Sequence, residues 1–512
     1  IANAVVEGCD NSAEVTFNGR GITIAIGGAF GYASNSIQTN CHNTGKVEIT
    51  KETRLLGVMA GGVAGGLYNP NDGAVGYSEN LSNNGPLKVL CSTDETNIKN
   101  GAYYYRIGGV VAFGRQKTTN CDNLENGDIT LAGKWIHMSS TERSLNIGGV
   151  IGYKTKGAVD YCDNYGDINI DTDITINSTN TVVIAAQILN IGGVVSDSSY
   201  SLTNSDNYGN ITFSGSYAGD RVCFGGILGN GISNNVRPGA GAVNSGNITI
   251  TEDAKMILSK DIFLGGCAGI TEAGAIDGMT NNGNITIKGK FYQWVTTTTN
   301  AETGEVSESK SGGAVRLGGV SGYITSPHTN LVNNGKIEFT STCFIEGSPQ
   351  IGGVVGDIYS KTTTNVYDTY TNNGAIIFNA NNKATLHLGG ITSDPYCATM
   401  QNMTNNGAIS LNGVFDGPIK IGGCFGFHDK ELVTFLNCTN NAPILIAADG
   451  AANTAISFQI GGITGYSQSL LNYCVNNKEG KLTFAGDFCT KGSRSTQASP
   501  NSGSHCLGGV CG

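Results

Sequence analysis

Short stretches of alternating apolar and polar residues recur along the chain, among them Lys46-Val47-Glu48-Ile49, Asp167-Ile168-Asn169-Ile170, Asn247-Ile248-Thr249-Ile250 and Lys336-Ile337-Glu338-Phe339. A period of two over four residues predicts a strand with one buried face. Each stretch follows an Asn-x-Gly triplet, found at Asn43, Asn83, Asn164, Asn207, Asn244, Asn281, Asn333, Asn372 and Asn405, with degenerate forms in phase at Asn11, Asn123, Asn440 and Asn476. Between the triplets lies a Gly-Gly pair that starts at Gly27, Gly61, Gly108, Gly148, Gly192, Gly225, Gly265, Gly318, Gly352, Gly389, Gly422, Gly461 and Gly508. The segment through each pair, such as Asn146-Ile147-Gly148-Gly149-Val150-Ile151-Gly152, predicts a second strand with glycine where a neighbouring backbone comes close. Helix caps and a 3.6-residue period are missing, so the chain is predicted all-β.

The two signals alternate thirteen times at a mean period of about 40 residues. Two short strands bury no core alone, but identical neighbours laid on one another do. The predicted fold is one continuous right-handed parallel β-solenoid over residues 1–512, with one coil per repeat and twelve to thirteen coils. Two coils of about 20 residues per repeat is the competing geometry. The distance from Gly-Gly to Asn is 15 to 22 residues, whereas the return from Asn43 onward runs from 17 to 37. Insertions therefore concentrate on one arc, at 90–107, 133–146, 171–190, 289–317 and 485–507. The chain opens and closes inside a repeat, which predicts a segment of a longer solenoid.

Stacking makes each repeat position a column about 4.8 Å per step. The residue two before each Asn is mostly small or apolar (Cys9, Cys41, Leu81, Cys121, Cys162, then Ala242, Met279, Leu331, Met403, Cys438 and Cys474), with Ser205 and Tyr370 as exceptions. This predicts an inward column. The Asn column is expected to bond its carboxamides from coil to coil, and the glycine two residues later to supply a positive φ. The middle residue of each Ile-x-Ile is expected outside. There Thr130, Asn169, Thr212, Thr249 and Thr286 form a run of the kind an ice- or crystal-binding face uses, interrupted by Glu48, Lys88, Glu338, Ile377 and Leu445.

Composition narrows function by exclusion. Glycine numbers 76 of 512 residues, charged residues are only 14%, and the net charge is −10. No Lys/Arg cluster gives a nucleic-acid footprint, and no apolar run of about 18 residues spans a bilayer. Fifteen cysteines are too sparse for a disulfide scaffold and lack zinc-ligand spacing, so they are expected as buried thiols, and no cofactor is expected. Asp122, Asp163 and Asp206 precede the Asn on three successive repeats. This arrangement suits an exposed turn, a Ca²⁺ site, or the carboxylates of a β-helical polysaccharide-cleaving enzyme. No basic residue joins that column to complete a catalytic set, so no catalytic or metal residue is assigned. Aromatics on the insertions, Tyr103, Tyr104, Tyr105, Trp135, Phe291, Tyr292 and Trp294, are the candidates for a ligand platform, unless they pack back against the coil.

The phrase Ile147-Gly148-Gly149-Val150-Ile151-Gly152 followed by Cys162-Asp163-Asn164-Tyr165-Gly166-Asp167-Ile168 resembles the GLUG-type repeats of large bacterial surface proteins. The resemblance covers essentially the whole chain, although GLUG repeats place Tyr-Ala-Thr-Gly after the cysteine. It implies a secreted or cell-surface, adhesin-like scaffold without catalysis. The implied partners are other surface proteins, host or matrix glycans, or further solenoid segments on the open ends. A carbohydrate-binding or polysaccharide-degrading β-helix is the alternative; one concave cluster of non-repeating Asp, Glu, Lys or Arg residues is the feature that favours the enzyme, and scattered, exchangeable ones favour the scaffold.

Overall fold

The computed structural model describes residues 2–69, 76–93, 104–137, 144–176, 188–231, 241–272, 276–299, 306–360, 364–396, 399–429, 433–447, 449–450, 457–485 and 506–512. It is an all-β solenoid of stacked parallel sheets, without helix among the described residues. Tyr103, Cys397 and Cys489 lie outside the described residues, as do parts of each predicted insertion.

One coil shows the plan. Ser144–Gly148 forms a first wall, Ile151–Lys154 a second, Val159–Asp160 a third, and Ile168–Ile176 a fourth. Register decides the number of coils per repeat. Gly61 pairs with Gly108, Gly108 with Gly148, and Gly148 with Gly192. Asn164 bridges to Asn123 and to Asn207. Each repeat is therefore one broad coil. The predicted second strand through Gly-Gly is in fact two. The chain bends at the second glycine and the residue after it, so the first wall ends at Gly148 and the second begins at Ile151. The first glycine tolerates this bend because a Cβ on Gly148 would lie 2.0 Å from the Ile151 carbonyl oxygen.

The interior is divided. Ile107, Ile147 and Ile191 of the first wall pack with Ile129, Ile168 and Ile211 of the fourth in one apolar column. Val111, Ile151 and Val195 of the second wall pack with Cys121 and Cys162 of the third in another. Between the two columns, the second glycine of each pair rests on the Asn carboxamide across the coil. A Cβ on Gly149 would sit 2.4 Å from Asn164 Cγ and 1.9 Å from the Gly193 carbonyl oxygen. Only a residue without a side chain lets the opposite walls touch there.

The Asn column forms the predicted ladder. From Asn11 to Asn476, each Nδ2 donates to the Oδ1 of the next Asn, in twelve consecutive bonds of 2.7–2.9 Å. The other amide hydrogen goes to a backbone carbonyl a few residues on, as from Asn164 to Gly166 O at 2.9 Å and from Asn207 to Gly209 O at 2.8 Å. Buried donors are thereby satisfied by their equivalents in the neighbouring coil. The inward column is also present. Cys41, Leu81, Cys121, Cys162, Tyr370 and Cys438 are fully buried, and Ser205 is accommodated by donating to Thr203 O at 2.8 Å and accepting from Cys162 N at 3.0 Å. Cys9 is exposed. All thirteen described cysteines are free thiols.

The positive φ falls elsewhere than expected. The glycine after the Asn is not left-handed; it is required because a Cβ on Gly209 would lie 2.0 Å from the Gly166 carbonyl oxygen of the preceding coil. The left-handed position is three residues before the Asn. It holds Gly8, Asn40, Asn80, Asn120, Tyr161, Asn204, Gly241, Gly278, Asn330, Thr369, Asn402, Asn437 and Tyr473. Glycine and asparagine occupy that region readily, and a β-branched residue does so worst. Thr369 is exposed with φ 59°, so little packing offsets its strain. Thr369→Asn is expected to stabilise the protein by about 0.5–1 kcal/mol, read as a higher midpoint in urea; an unchanged or lower midpoint contradicts this.

Candidate functional site

The predicted candidates separate when placed. Asp163 N donates to Asp122 Oδ1 at 2.9 Å, Asp206 N to Asp163 Oδ1 at 2.8 Å, and Val243 N to Asp206 Oδ1 at 2.7 Å. These carboxylates accept backbone amides of the next coil, a structural task, and burial raises the pKa of Asp122 and Asp163. The outward column Thr130, Asn169, Thr212, Thr249, Thr286 is in register, as expected.

The aromatic platform does not assemble. Trp135 and Tyr105 are buried, stack with centroids 5.1 Å apart, and Trp135 Nε1 donates to Cys91 O at 2.9 Å. Phe291 is buried in the same apolar column. Trp135 lies on a fourth wall that runs on from Ile129 to His137 and Phe291 on the strand Lys290–Thr299 just past its own, so alternate residues turn inward, while Tyr105 begins the first wall Tyr105–Gly108. Tyr292 is half-buried against Phe344, at 5.4 Å. Trp294 starts an antiparallel hairpin of Lys290–Thr299 with Val306–Ser311. Of the described candidates, Tyr104 alone reaches the groove described next.

That groove arises from the Gly-Gly bend. Outside the apolar columns, the residue two before the first glycine faces the residue five after it. The Arg106 guanidinium lies 4.1 Å from the Phe113 ring centroid, Asn190 Nδ2 donates to Asp197 Oδ2 at 3.1 Å, and Lys420 Nζ is 3.5 Å from the Phe427 centroid. Stacked coils extend these pairs along the axis. The first column runs through Arg106, Asn146, Asn190, Cys223, Phe263, Arg316, Gln350, His387 and Lys420. The second runs through Phe113, Tyr153, Asp197, Asn230, Ile270, Tyr323, Asp357 and Asp394. Unlike the Asn and Gly columns, neither repeats one residue type.

The groove is not open throughout: Asn146, Asn190, Cys223, Asn230 and Ile270 are buried and close it between its early and later stretches. In the early coils, Tyr32, Tyr68, Phe113 and Tyr153 follow one another with centroids 6.0–6.4 Å apart. They line an open cavity of about 520 Å³ together with Met59, Tyr104, Arg106, Arg115, Thr155 and Lys156. Farther on, Arg316 bridges Asp261, at 2.9 Å, and Asp357. Asp394 is on the adjacent coil, 3.9 Å from His387. Burial raises Asp394 to about 7, helped by Asp357 and Asp429, and raises Asp357 to about 6 against the pull of Arg316. Burial and Lys420 lower His387 to about 3, so the His387–Asp394 contact is not an ion pair at neutral pH.

A second departure from the repeat is internal. Lys154 is fully buried, and its Nζ donates to Thr118 Oγ1 at 2.7 Å and to Gln116 O. Gln116 in turn bonds to Gln38 and Ser78, making a polar patch within the apolar column. Gly114, paired with Lys154 on the preceding coil, leaves space for the stem, since a Cβ there would lie 3.3 Å from Lys154 Cδ. Burial pulls the Lys154 amine down to about 7.

No family model matches the chain, no curated protein is similar to it, and no solved structure matches it.

Proposed function

We propose that the chain is a rigid, non-catalytic scaffold of adhesive kind, exposed outside a bacterial cell, that binds a glycan at the open, aromatic-lined stretch of the groove on its early coils. One observation carries this reading: Tyr32, Tyr68, Phe113 and Tyr153 line an open cavity of about 520 Å³ on the outside of the early coils. Aromatic faces suit the C–H faces of sugar rings, and a local cavity of this size suits a sugar unit. The resemblance to GLUG-type surface repeats points the same way.

Affinity electrophoresis of the purified chain through gels containing soluble polysaccharides tests this. At least one polysaccharide is expected to retard it. Tyr32→Ala and Tyr153→Ala, both lining the cavity, are each expected to weaken retardation about three- to tenfold, or about 0.5–1.5 kcal/mol. Unretarded migration in every gel overturns the reading.

A catalytic alternative draws on Asp357 and Asp394, because a carboxyl group raised to about 7 has the protonation of a general acid near neutrality. The ion pair that engages Asp357 with Arg316 favours the scaffold reading. Release of reducing ends from a retarding polysaccharide, lost in Asp394→Asn, would reverse that preference.

A further inference from the structure

We propose that Cys438 and Cys474, on adjacent coils, are a disulfide site that fastens one coil to the next. The inference is independent of the glycan reading and concerns the inward column two residues before the ladder asparagines. Six of that column's thirteen positions are cysteine, and they fall only as neighbouring pairs: Cys9 with Cys41, Cys121 with Cys162, and Cys438 with Cys474. None of the six stands alone, and no three adjoin. Elsewhere in the interior cysteine serves singly as a small hydrophobe. Cys267 has Ile227 and Val320 at the same position of its two neighbouring coils, and Cys424 has Ile391 and Ile463.

Register places each pair face to face. Leu436 pairs with Asn472 and Thr439 with Val475, so Cys438 lies opposite Cys474. Glu7 with Thr39 and Asp10 with His42 do the same for Cys9 and Cys41, as Thr119 with Asp160 and Asn123 with Asn164 do for Cys121 and Cys162. Asn437 and Tyr473, the left-handed residues before the two cysteines, give both the same backbone turn, so their side chains project in parallel. Neighbouring strands run about 4.8 Å apart, inside the roughly 4.4–6.8 Å that separates the Cα atoms of a disulfide. The two thiols already meet. A hydrogen bond from Cys438 lowers the Cys474 thiol to about 7, while the same bond and burial raise Cys438.

Cys474 is half-buried and Cys438 buried, which sets the order of reaction. The Cys474 thiolate attacks one sulfur of a small disulfide oxidant, such as oxidised glutathione, and expels one glutathione thiolate. Cys438 then loses its proton to water and attacks the Cys474 sulfur, expelling the second. One S–S bond breaks in the oxidant and one forms in the protein, and two electrons pass from the protein thiols to the two glutathiones. Cys9 is exposed, so its pair with Cys41 is open to the same chemistry, whereas Cys121 and Cys162 are both fully buried.

Incubation of the intact folded chain with oxidised glutathione, then alkylation in denaturant and non-reducing peptide mass analysis, tests this. A linked Cys438–Cys474 peptide is expected, with Cys121 and Cys162 recovered as alkylated thiols. The link closes a loop of one coil, so oxidation is expected to raise the urea midpoint and a reductant to lower it again. Cys474→Ser is expected to lose both the linked peptide and the shift in midpoint. Thermal melts verify that the variant is folded, and comparing oxidised with reduced samples of each protein removes any effect of the serine itself. Recovery of Cys438 and Cys474 as alkylated thiols, retention of glutathione on Cys474, or linkage of Cys474 to Cys424 overturns the inference. A linked peptide with an unchanged midpoint overturns the fastening role.

Discussion

Gly193→Ala is expected to destabilise the protein by more than about 4 kcal/mol, or to prevent the central coils from forming. A Cβ at that position would lie 1.8 Å from the Gly226 carbonyl oxygen and 2.4 Å from Asn207 Cγ. The first contact is with backbone fixed in a sheet, and the second with an amide held on both sides. Asn207 accepts from Asn164 at 2.8 Å and donates to Asn244 at 2.7 Å, so it moves only by breaking ladder bonds. Each buried amide left unpaired costs about 1–3 kcal/mol, and a packed interior has no space for relief. Gly21→Ala is the comparison. A Cβ there would meet only the end of the Leu55 side chain, at 3.4 Å, so its midpoint in urea is expected to stay within about 0.5 kcal/mol of the parent. Similar midpoints for the two variants would contradict the close-contact account of the second glycine.

Lys154→Met should act in the opposite direction and depend on pH. The amine has a pKa of about 7 in the fold against 10.5 when solvated. Between those values the unfolded chain binds more protons than the native one, so stability rises as pH increases through this window. Below pH 7 the full cost of burying the charge is present. The difference of roughly 3.5 units corresponds to a penalty of about 4–5 kcal/mol near neutrality. Methionine removes that penalty but leaves Gln116 O and Thr118 Oγ1 without the ammonium, a loss of about 1–2 kcal/mol. The variant is therefore expected to be more stable by about 2–4 kcal/mol at pH 7, with the gain shrinking as pH rises and turning into a deficit of about 1 kcal/mol by pH 10.5. Urea midpoints of parent and variant across that range measure it. A constant difference would show that Lys154 is not held neutral by burial.

Features repeated in every coil were readable without coordinates. The Asn column, the inward cysteines and the Ile-x-Ile faces recur at fixed phase, and a ladder follows once equivalent positions stack. The bend within Gly-Gly was not readable, because close approach inside a strand and reversal between two strands call for the same residue. The groove depends on that bend. Arg106 and Phe113 come together only when the chain turns between them, and each of their columns is diverse in composition. Diversity at a fixed phase was itself the available signal, at the residues two before and five after the first glycine. The insertion aromatics misled for a different reason. Trp135 lies where the fourth wall runs on and Phe291 on the strand just past it, so strand alternation sends them inward despite the lengthened spacing between motifs. Lys154 gives no such cue, since its burial depends on Gly114 one coil away.

The seam where glycine meets carboxamide also bears on how such a chain changes length over generations. Each unit presents the same two half-bonds to whatever neighbour it receives. Excision of 165–207 would join Asn164 to Tyr208 and restore an Asn-Tyr-Gly triplet in phase, with Asn164 then facing Asn244. Losing or duplicating a whole unit is thus silent at the seam, whereas a shift of a single residue there is not. Heritable variation in reach should come in whole steps, while ligand preference drifts residue by residue along the cleft.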